Sequence, residues 1–289
     1  ETRLGMVVSA EWLVQRLEDP SVVVVHVAKT REVYDMLHIP DARFVAWDEV
    51  ATERDGVPNE LPPLEELVKL VRRLGIDAGD RVVLYDERGG LMAARAWIAL
   101  EYVGLGGQAS LLAEDWREWR AQMRPLSNLV PQPKPSDYVP RPHPEIVVHL
   151  GDVRDAVWAR ADNRKAAVRL VDARPEAQYA GTEAGEGVRR GGHIPGAISM
   201  FWERHLEAPS AEAEGGMTLR SPSELRGLYK KAGLRPHDLV IAYCRTGGQA
   251  SHAYFVLKYL GYDVRLYDGS YIEWNAAPDT DVVAGQELR

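Results

Sequence analysis

The chain holds a single cysteine, Cys244. Its surroundings read Leu239-Val240-Ile241-Ala242-Tyr243-Cys244-Arg245-Thr246-Gly247-Gly248-Gln249-Ala250-Ser251. An apolar run ends at Tyr243 and a helical pattern starts near Gln249. Cys244 therefore opens a short loop between a strand's carboxyl end and a helix's amino end. In open α/β sheets this is the ligand-binding edge. A thiol attacks as thiolate, and an ordinary thiol pKa near ~8.5 leaves little thiolate at neutral pH. Amides at a helix N-terminus favour an anion. Gly247 and Gly248 let the backbone curl so that N–H groups point inward. Arg245 adds a fixed positive charge. Free cysteines are often small buried hydrophobes, but Arg, Thr and two glycines are poor neighbours for a packed core. The loop is suited to an anionic sulfur and an anionic substrate.

The elements that must position this loop occur twice. Leu37-His38-Ile39-Pro40-Asp41-Ala42 is echoed by Gly192-His193-Ile194-Pro195-Gly196-Ala197. Gly75-Ile76 leads into Asp80–Asp86 as Gly233-Leu234 leads into Asp238–Cys244. Gly89-Gly90 matches Gly247-Gly248, and Trp119 matches Trp274. Four landmarks in one order point to an internal repeat. Buried strands are expected at Val22–Val27, Val82–Tyr85, Val168–Val171 and Leu239–Tyr243, and helices at Leu64–Leu74, Met92–Tyr102, Ser223–Ala232 and Gln249–Leu260. The alternation predicts an α/β fold of two similar domains, each a mostly parallel sheet flanked by helices. Prolines at 125, 131, 133, 135, 140, 142 and 144 make 125–144 an extended linker between domains at 1–124 and 145–289. The position matching Cys244 in the first copy is Asp86, which cannot serve as a sulfur nucleophile. Only the second domain can be active by thiol chemistry, and the first is expected to stabilise it and wall the site.

A length of 289 residues suits two domains. A net charge of −8 argues against general nucleic-acid binding. No apolar run is long enough to span a membrane, and Glu1–Met6 has no signal-peptide core. One cysteine allows no internal disulfide and no cysteine-rich zinc site. The cytoplasm is the expected compartment, with no cofactor and no metal.

Three segments together resemble the tandem-domain rhodanese family across essentially the whole chain. Cys244-Arg245-Thr246-Gly247-Gly248-Gln249 resembles its six-residue active-site loop. Gly191–Ala197 resembles an earlier signature, and Tyr267-Asp268-Gly269-Ser270-Tyr271-Ile272-Glu273-Trp274 resembles the closing one. The resemblance implies two α/β domains of the rhodanese type with the site near their interface. It also implies a two-step transfer, in which Cys244 takes a sulfane sulfur as a persulfide and gives it to cyanide or a thiol. The donor is expected to bind through Arg245, Thr246, Gly247, Gly248, Gln249 and Gln178. Family members acting on 3-mercaptopyruvate usually carry a small residue after the cysteine, and those acting on thiosulfate more often a basic one. Arg245 therefore favours thiosulfate. Thr246 stands where well-known thiosulfate enzymes carry Lys, and Gln178 where many members carry a substrate-binding Arg. Gln donates hydrogen bonds without charge.

Supporting roles are expected elsewhere. Asp172 and Arg174 could tie the loop through an ion pair. His193 reads as structural, because its partner His38 lies in the copy without cysteine. Asp268 and Ser270 are expected to brace the loop. Trp202 fits either the pocket or the core, and Arg189 and Arg190 read as solvated charges. The partners implied are a small anionic sulfur donor and a thiophilic acceptor, with no nucleic acid or membrane. A phosphatase would need an arginine at position 250, where this chain has Ala250. The alternatives that stay open are a 3-mercaptopyruvate sulfurtransferase and a non-catalytic sulfur carrier.

Overall fold

A computed structural model describes residues 3, 5–161, 168–208 and 216–285. Strands β1 (Val7–Val8), β2 (Val22–Ala28), β3 (Arg43–Ala46), β6 (Arg81–Tyr85) and β7 (Ala109–Leu112) form one sheet in the order β1-β7-β6-β2-β3. A second sheet has the order β10-β9-β11-β12-β8. Its strands are β8 (Val147–Val148), β9 (Arg169–Asp172), β10 (Ile198–Ser199), β11 (Leu239–Tyr243) and β12 (Asp263–Tyr267). Every pairing in both is parallel. Read from opposite ends, the two orders are the same topology, with β6 and β11 each at the centre. Asp86 and Cys244 each follow that central strand. A small hairpin, β4 (Thr52–Arg54) and β5 (Val57–Glu60), is added only to the first half.

The expected buried strands all form. β2 is Val-rich and buried from its second residue onward, as a strand covered on both faces must be. Its one polar member, His26, is fully buried, stacks on Tyr85 at 4.6 Å and bonds Glu87 at 3.2 Å. The expected helices also form. They are α3 (Leu64–Arg73), α4 (Leu91–Val103), α8 (Pro222–Lys231) and α9 (Gly248–Tyr259), to which others are added. These are α1 (Ala10–Val14), α2 (Glu32–Met36), α5 (Trp116–Ala121), α6 (Leu150–Ala161), α7 (Glu176–Ala180) and α10 (Ser270–Ala276).

α4 and α9 are buried nearly all round, which fits their apolar composition. They pack on each other between the two sheets, and one apolar core runs through both. Trp97 meets Phe255 edge-on at 5.1 Å across this seam. Glu101 pairs with Lys258 at 2.8 Å and accepts from the Tyr254 hydroxyl at 2.8 Å. Both charges are almost fully buried, so each depends on the other.

The repeat is closer than its landmarks suggest. Tyr34 stacks on His38 and donates to the Ala42 carbonyl; Tyr179 stacks on His193 and donates to the Ala197 carbonyl. One landmark needs correcting. The helix caps with positive φ are Gly90 for α4 and Gly247 for α9, so these two correspond. The loop 86–90 is therefore one residue longer than 244–247, and matching Gly89-Gly90 to Gly247-Gly248 was shifted by one.

The segment expected to link the halves is extended and packs along the first one. Its backbone bonds Arg72, Val103 and Tyr102, and Tyr138 is buried with its hydroxyl on the Val103 carbonyl. Gly75 and Gly104 have positive φ and lie so close to this segment that a Cβ would strike the Lys134 and Arg141 carbonyls. No helix among the described residues is long and apolar enough to cross a membrane.

Candidate active site

β11 delivers Cys244 to the carboxyl edge of its sheet, where it is buried. The loop 244–247 then turns directly into α9. The turn requires φ of +95° at Gly247, which L residues rarely adopt. As a result the Gly247 N–H donates to Cys244 Sγ at 3.1 Å. A backbone N–H at a helix amino end therefore points at the sulfur.

A second set of bonds fixes the loop from α10. The amides of Tyr271 and Ile272 donate to the carbonyls of Cys244 and Arg245 at 2.9 and 3.1 Å. The Cys244 amide reaches Ser270 Oγ at 3.3 Å, and Ser270 donates to the Tyr267 carbonyl at 3.0 Å. Ser270 sits at φ +54°, a conformation that its neighbours must hold in place. Ser270 thus touches the cysteine residue itself.

Asp268 braces differently from expectation. Its carboxylate is paired with Arg95, a fully buried residue of α4, at 2.7 and 3.3 Å, and accepts the Leu61 amide at 2.5 Å. It joins the two halves beside the loop. Asp172 and Arg174 pair with each other at 2.6–3.1 Å and are fully buried. Burial works against the Arg174 charge, yet Asp172 outweighs it and the guanidinium's pKa is raised. Arg174 also bonds the Gly192 carbonyl and lies 4.0 Å over the Tyr271 ring, so the pair ties β9 to the signature segments. His193 is fully buried, bonds the Tyr179 carbonyl at 2.8 Å and pairs its backbone with Val283.

The residues expected to meet the donor fall in three places. Thr246 is buried and its hydroxyl accepts from Asn59 Nδ2 at 3.1 Å. Gly248 and Gln249 open α9, and Gly248 lies against the Trp47 ring. Arg245 Nη1 donates to the Glu186 carbonyl at 2.9 Å, and Gly185 is packed between Arg245 and Gln178. Gln178 therefore flanks the same side of the loop as Arg245. Trp202 is core, edge-on to His252 at 5.2 Å. Arg190 is not a solvated charge. Its guanidinium bonds the carbonyls of Trp274, Asn275 and Ala277, where α10 ends, and the Thr280 hydroxyl.

Three residues from the first half escaped the sequence reading. Trp47 donates to Asn59 Oδ1 at 3.0 Å, Asn59 donates to Thr246, and Arg95 bonds the Asn59 carbonyl. Asn59 stands on the hairpin whose Asp55-Gly56 turn has φ of +52° and +80°. Asp-Gly is a hairpin signal that the sequence carried. Arg95 was equally visible as one of two charges, with Glu101, in an otherwise apolar helix, which must be paired if buried.

The Asp86 loop has the same form with a different occupant. Its carboxylate is buried and accepts the amides of Arg88, Gly90, Met92 and Ala93 at 2.7–2.9 Å. Burial pushes this carboxyl upward, and the four donors oppose that shift.

Comparison with known proteins adds a family. The profile of the Rhodanese-like domain matches residues 9–122 and again 154–277. The chain is 34% identical to the sulfur carrier protein TtuD of Thermus thermophilus, with 98% of each chain covered. It is 31% identical to a thiosulfate sulfurtransferase of Corynebacterium glutamicum, covering 98% of this chain and 92% of the relative. The crystal structure of SseA from Escherichia coli, described among 3-mercaptopyruvate sulfotransferases, superposes with a TM-score of 0.78 at 25% identity. It covers 92% of this chain and 98% of that one.

Proposed function

The chain belongs to the rhodanese family of sulfurtransferases, and on that premise we propose that Cys244 carries the sulfur, with thiosulfate as donor. The Cys244 thiolate attacks the outer sulfur of thiosulfate. The donor's S–S bond breaks and sulfite leaves with the electron pair. The resulting persulfide yields its outer sulfur to a thiophilic acceptor. Cyanide becomes thiocyanate, or a thiolate becomes a new persulfide, and the Cys244 thiolate returns.

The observation that carries this reading is the Gly247 N–H on Cys244 Sγ at the head of α9. It supplies the thiolate with a donor, and the first-turn amides offer more to an anion docked there. Arg245 supports thiosulfate as the donor. A guanidinium has five N–H donors, and the bond from Nη1 to Glu186 uses one. The Corynebacterium relative's name agrees. The Thermus relative's name favours a second reading, in which the same persulfide is held for a protein acceptor.

Treatment with thiosulfate is expected to add sulfur to the peptide bearing Cys244, read by mass spectrometry, and Cys244→Ser is expected to abolish transfer. Retained transfer in that variant would overturn the assignment. Thiosulfate is expected to outperform 3-mercaptopyruvate in steady-state kcat/KM. Arg245→Gly should lower the thiosulfate value by roughly 10- to 100-fold, the worth of a charge-assisted hydrogen bond. A strong preference for mercaptopyruvate, or no loss in Arg245→Gly, would overturn the donor and leave the persulfide step standing. A slow steady state beside rapid, complete single-turnover loading would favour the carrier reading.

A further inference from the structure

Arg95 belongs to the half without a cysteine, yet its guanidinium is spent on the other half's loop. It is fully buried. Nε donates to the Val50 carbonyl at 3.0 Å. Nη1 donates to Asp268 at 2.7 Å and lies 3.5 Å from Ser251 Oγ. Nη2 donates to the Asn59 carbonyl and to Asp268 at 3.3 Å. Three of these four partners meet the cysteine loop. Asn59 bonds Thr246. Ser251 donates to the Gly247 carbonyl at 2.8 Å. Asp268 Oδ1 lies 3.2 Å, and Arg95 Nη1 3.6 Å, from where a Cβ on Gly247 would stand. Gly247 is the residue whose N–H meets the sulfur.

We propose that Arg95 is a positioning residue for sulfur transfer, holding the Thr246–Gly247 backbone toward the sulfur and balancing the Asp268 carboxylate beside it. The proposal rests on Cys244 being the nucleophile. The physical argument has two parts. A forked guanidinium fixes several acceptors at once, which an ammonium cannot. A carboxylate left unbalanced next to a thiolate disfavours it, and an unbalanced guanidinium favours it.

Other ionisable groups surround this pair. Glu60 on β5 faces Asp268, with its carboxyl pushed upward by burial and by that neighbour. Glu273 on α10 approaches Gly269. On the cysteine side stand Arg245 and the mutually neutralised Asp172–Arg174 pair. None of these is altered in the variants below.

The single cysteine makes the test clean, because its alkylation by iodoacetamide reads the thiolate with no sulfur donor present. Arg95→Met should move the pH midpoint of alkylation up by about one unit, and Asp268→Asn should move it down. A merely structural role predicts shifts of the same sign, or none. Arg95→Lys keeps the charge and loses the fork. It should leave the midpoint near wild type while kcat falls about tenfold and KM changes little. If Arg95→Met does not fold, Asp268→Asn and Arg95→Lys still decide the matter. Equal-signed or absent midpoint shifts in folded variants, or wild-type kcat in Arg95→Lys, overturn the proposal. Failure of the nucleophile reading would show separately, as transfer surviving Cys244→Ser.

Discussion

The loops after β6 and β11 leave the same edge of two like-ordered sheets and enter helices capped by Gly90 and Gly247. In the first, Asp86 fills the curl of amides with its own carboxylate. In the second, Cys244 offers a sulfur that ends one bond short of the position of those oxygens. An outer sulfur bound to Cys244 would stand at the same remove from Cβ as an Asp86 oxygen does. By helix position, the amides of Gly90, Met92 and Ala93 correspond to those of Gly247, Gln249 and Ala250. The first loop thus displays how such a curl holds negative atoms when a side chain supplies them. The lesson is that the curl of amides belongs to the strand–loop–helix unit, whereas what occupies it depends on one side chain.

The same comparison extends to the helices. Counting from their glycine caps, Arg95 of α4 and His252 of α9 hold equivalent positions, and each reaches the other half's loop. His252 Nε2 donates to the Gly89 carbonyl at 3.2 Å, which leaves Nδ1 to accept from His205 Nδ1 at 3.2 Å. His205 Nε2 in turn accepts from the Tyr229 hydroxyl at 2.9 Å. Every donor in this chain has an acceptor only while both rings are neutral. Burial holds His252 down to about 4, and burial with His252 as neighbour holds His205 well below its ordinary value.

The largest expected effect follows from that pair. A folded-state pKa depressed from 6.5 to about 4 means the unfolded chain binds the extra proton first. Stability is therefore full above pH 6.5 and falls as the pH drops toward 4. For His252 the loss is about 3 kcal/mol. Urea midpoints at pH 7 and pH 5 should differ in wild type. His252→Gln keeps a donor for Gly89 and should narrow the gap. An unchanged gap would mean that other groups set the acid limit and that the two helix positions are not functional counterparts.

Gly247→Ala comes next. The φ of +95° is strained for alanine, and its Cβ would stand 3.1 Å from the Asn59 carbonyl and 3.2 Å from Asp268. Transfer should fall roughly 10- to 100-fold, equal to about 1.4–2.7 kcal/mol of barrier. Single-turnover persulfide formation would measure it. A wild-type rate would show that the Gly247 N–H is not what readies the sulfur.

The smallest effect is expected at Asp86→Asn. Asn offers one acceptor oxygen where Asp86 uses two, and its amide would face the Met92 and Ala93 donors. Two lost bonds are partly offset by burying no charge, for a net cost of about 1 kcal/mol. Chemical denaturation would read it, with transfer kinetics unchanged. A stabilised variant would show that desolvation of the carboxylate outweighs its four donors.

Sequence alone was enough for the repeat, the parallel α/β halves and the strand–loop–helix around Cys244. Those features rest on local rules: Val-rich runs, glycines where φ must be positive, and prolines that exclude regular structure. The stacking of His193 on Tyr179 was foreshadowed by the repeat, since His38 stacks on Tyr34 in the same way. What lay beyond reach was every contact between positions distant in the chain. Asp172 and Arg174, two residues apart, could be paired from the sequence, but the Gly192 carbonyl and the Tyr271 ring that Arg174 meets could not be foreseen. Arg190 looked like surface charge, because nothing local brings the carbonyl end of α10 to it. Tertiary packing alone set Asn59 on Thr246 and Arg95 on Asp268, because those bonds form only when α4 and α9 are buried against each other. The residue type at 244 fixed the chemistry open to the loop, and the opposing domain fixed the orientation of the backbone around it.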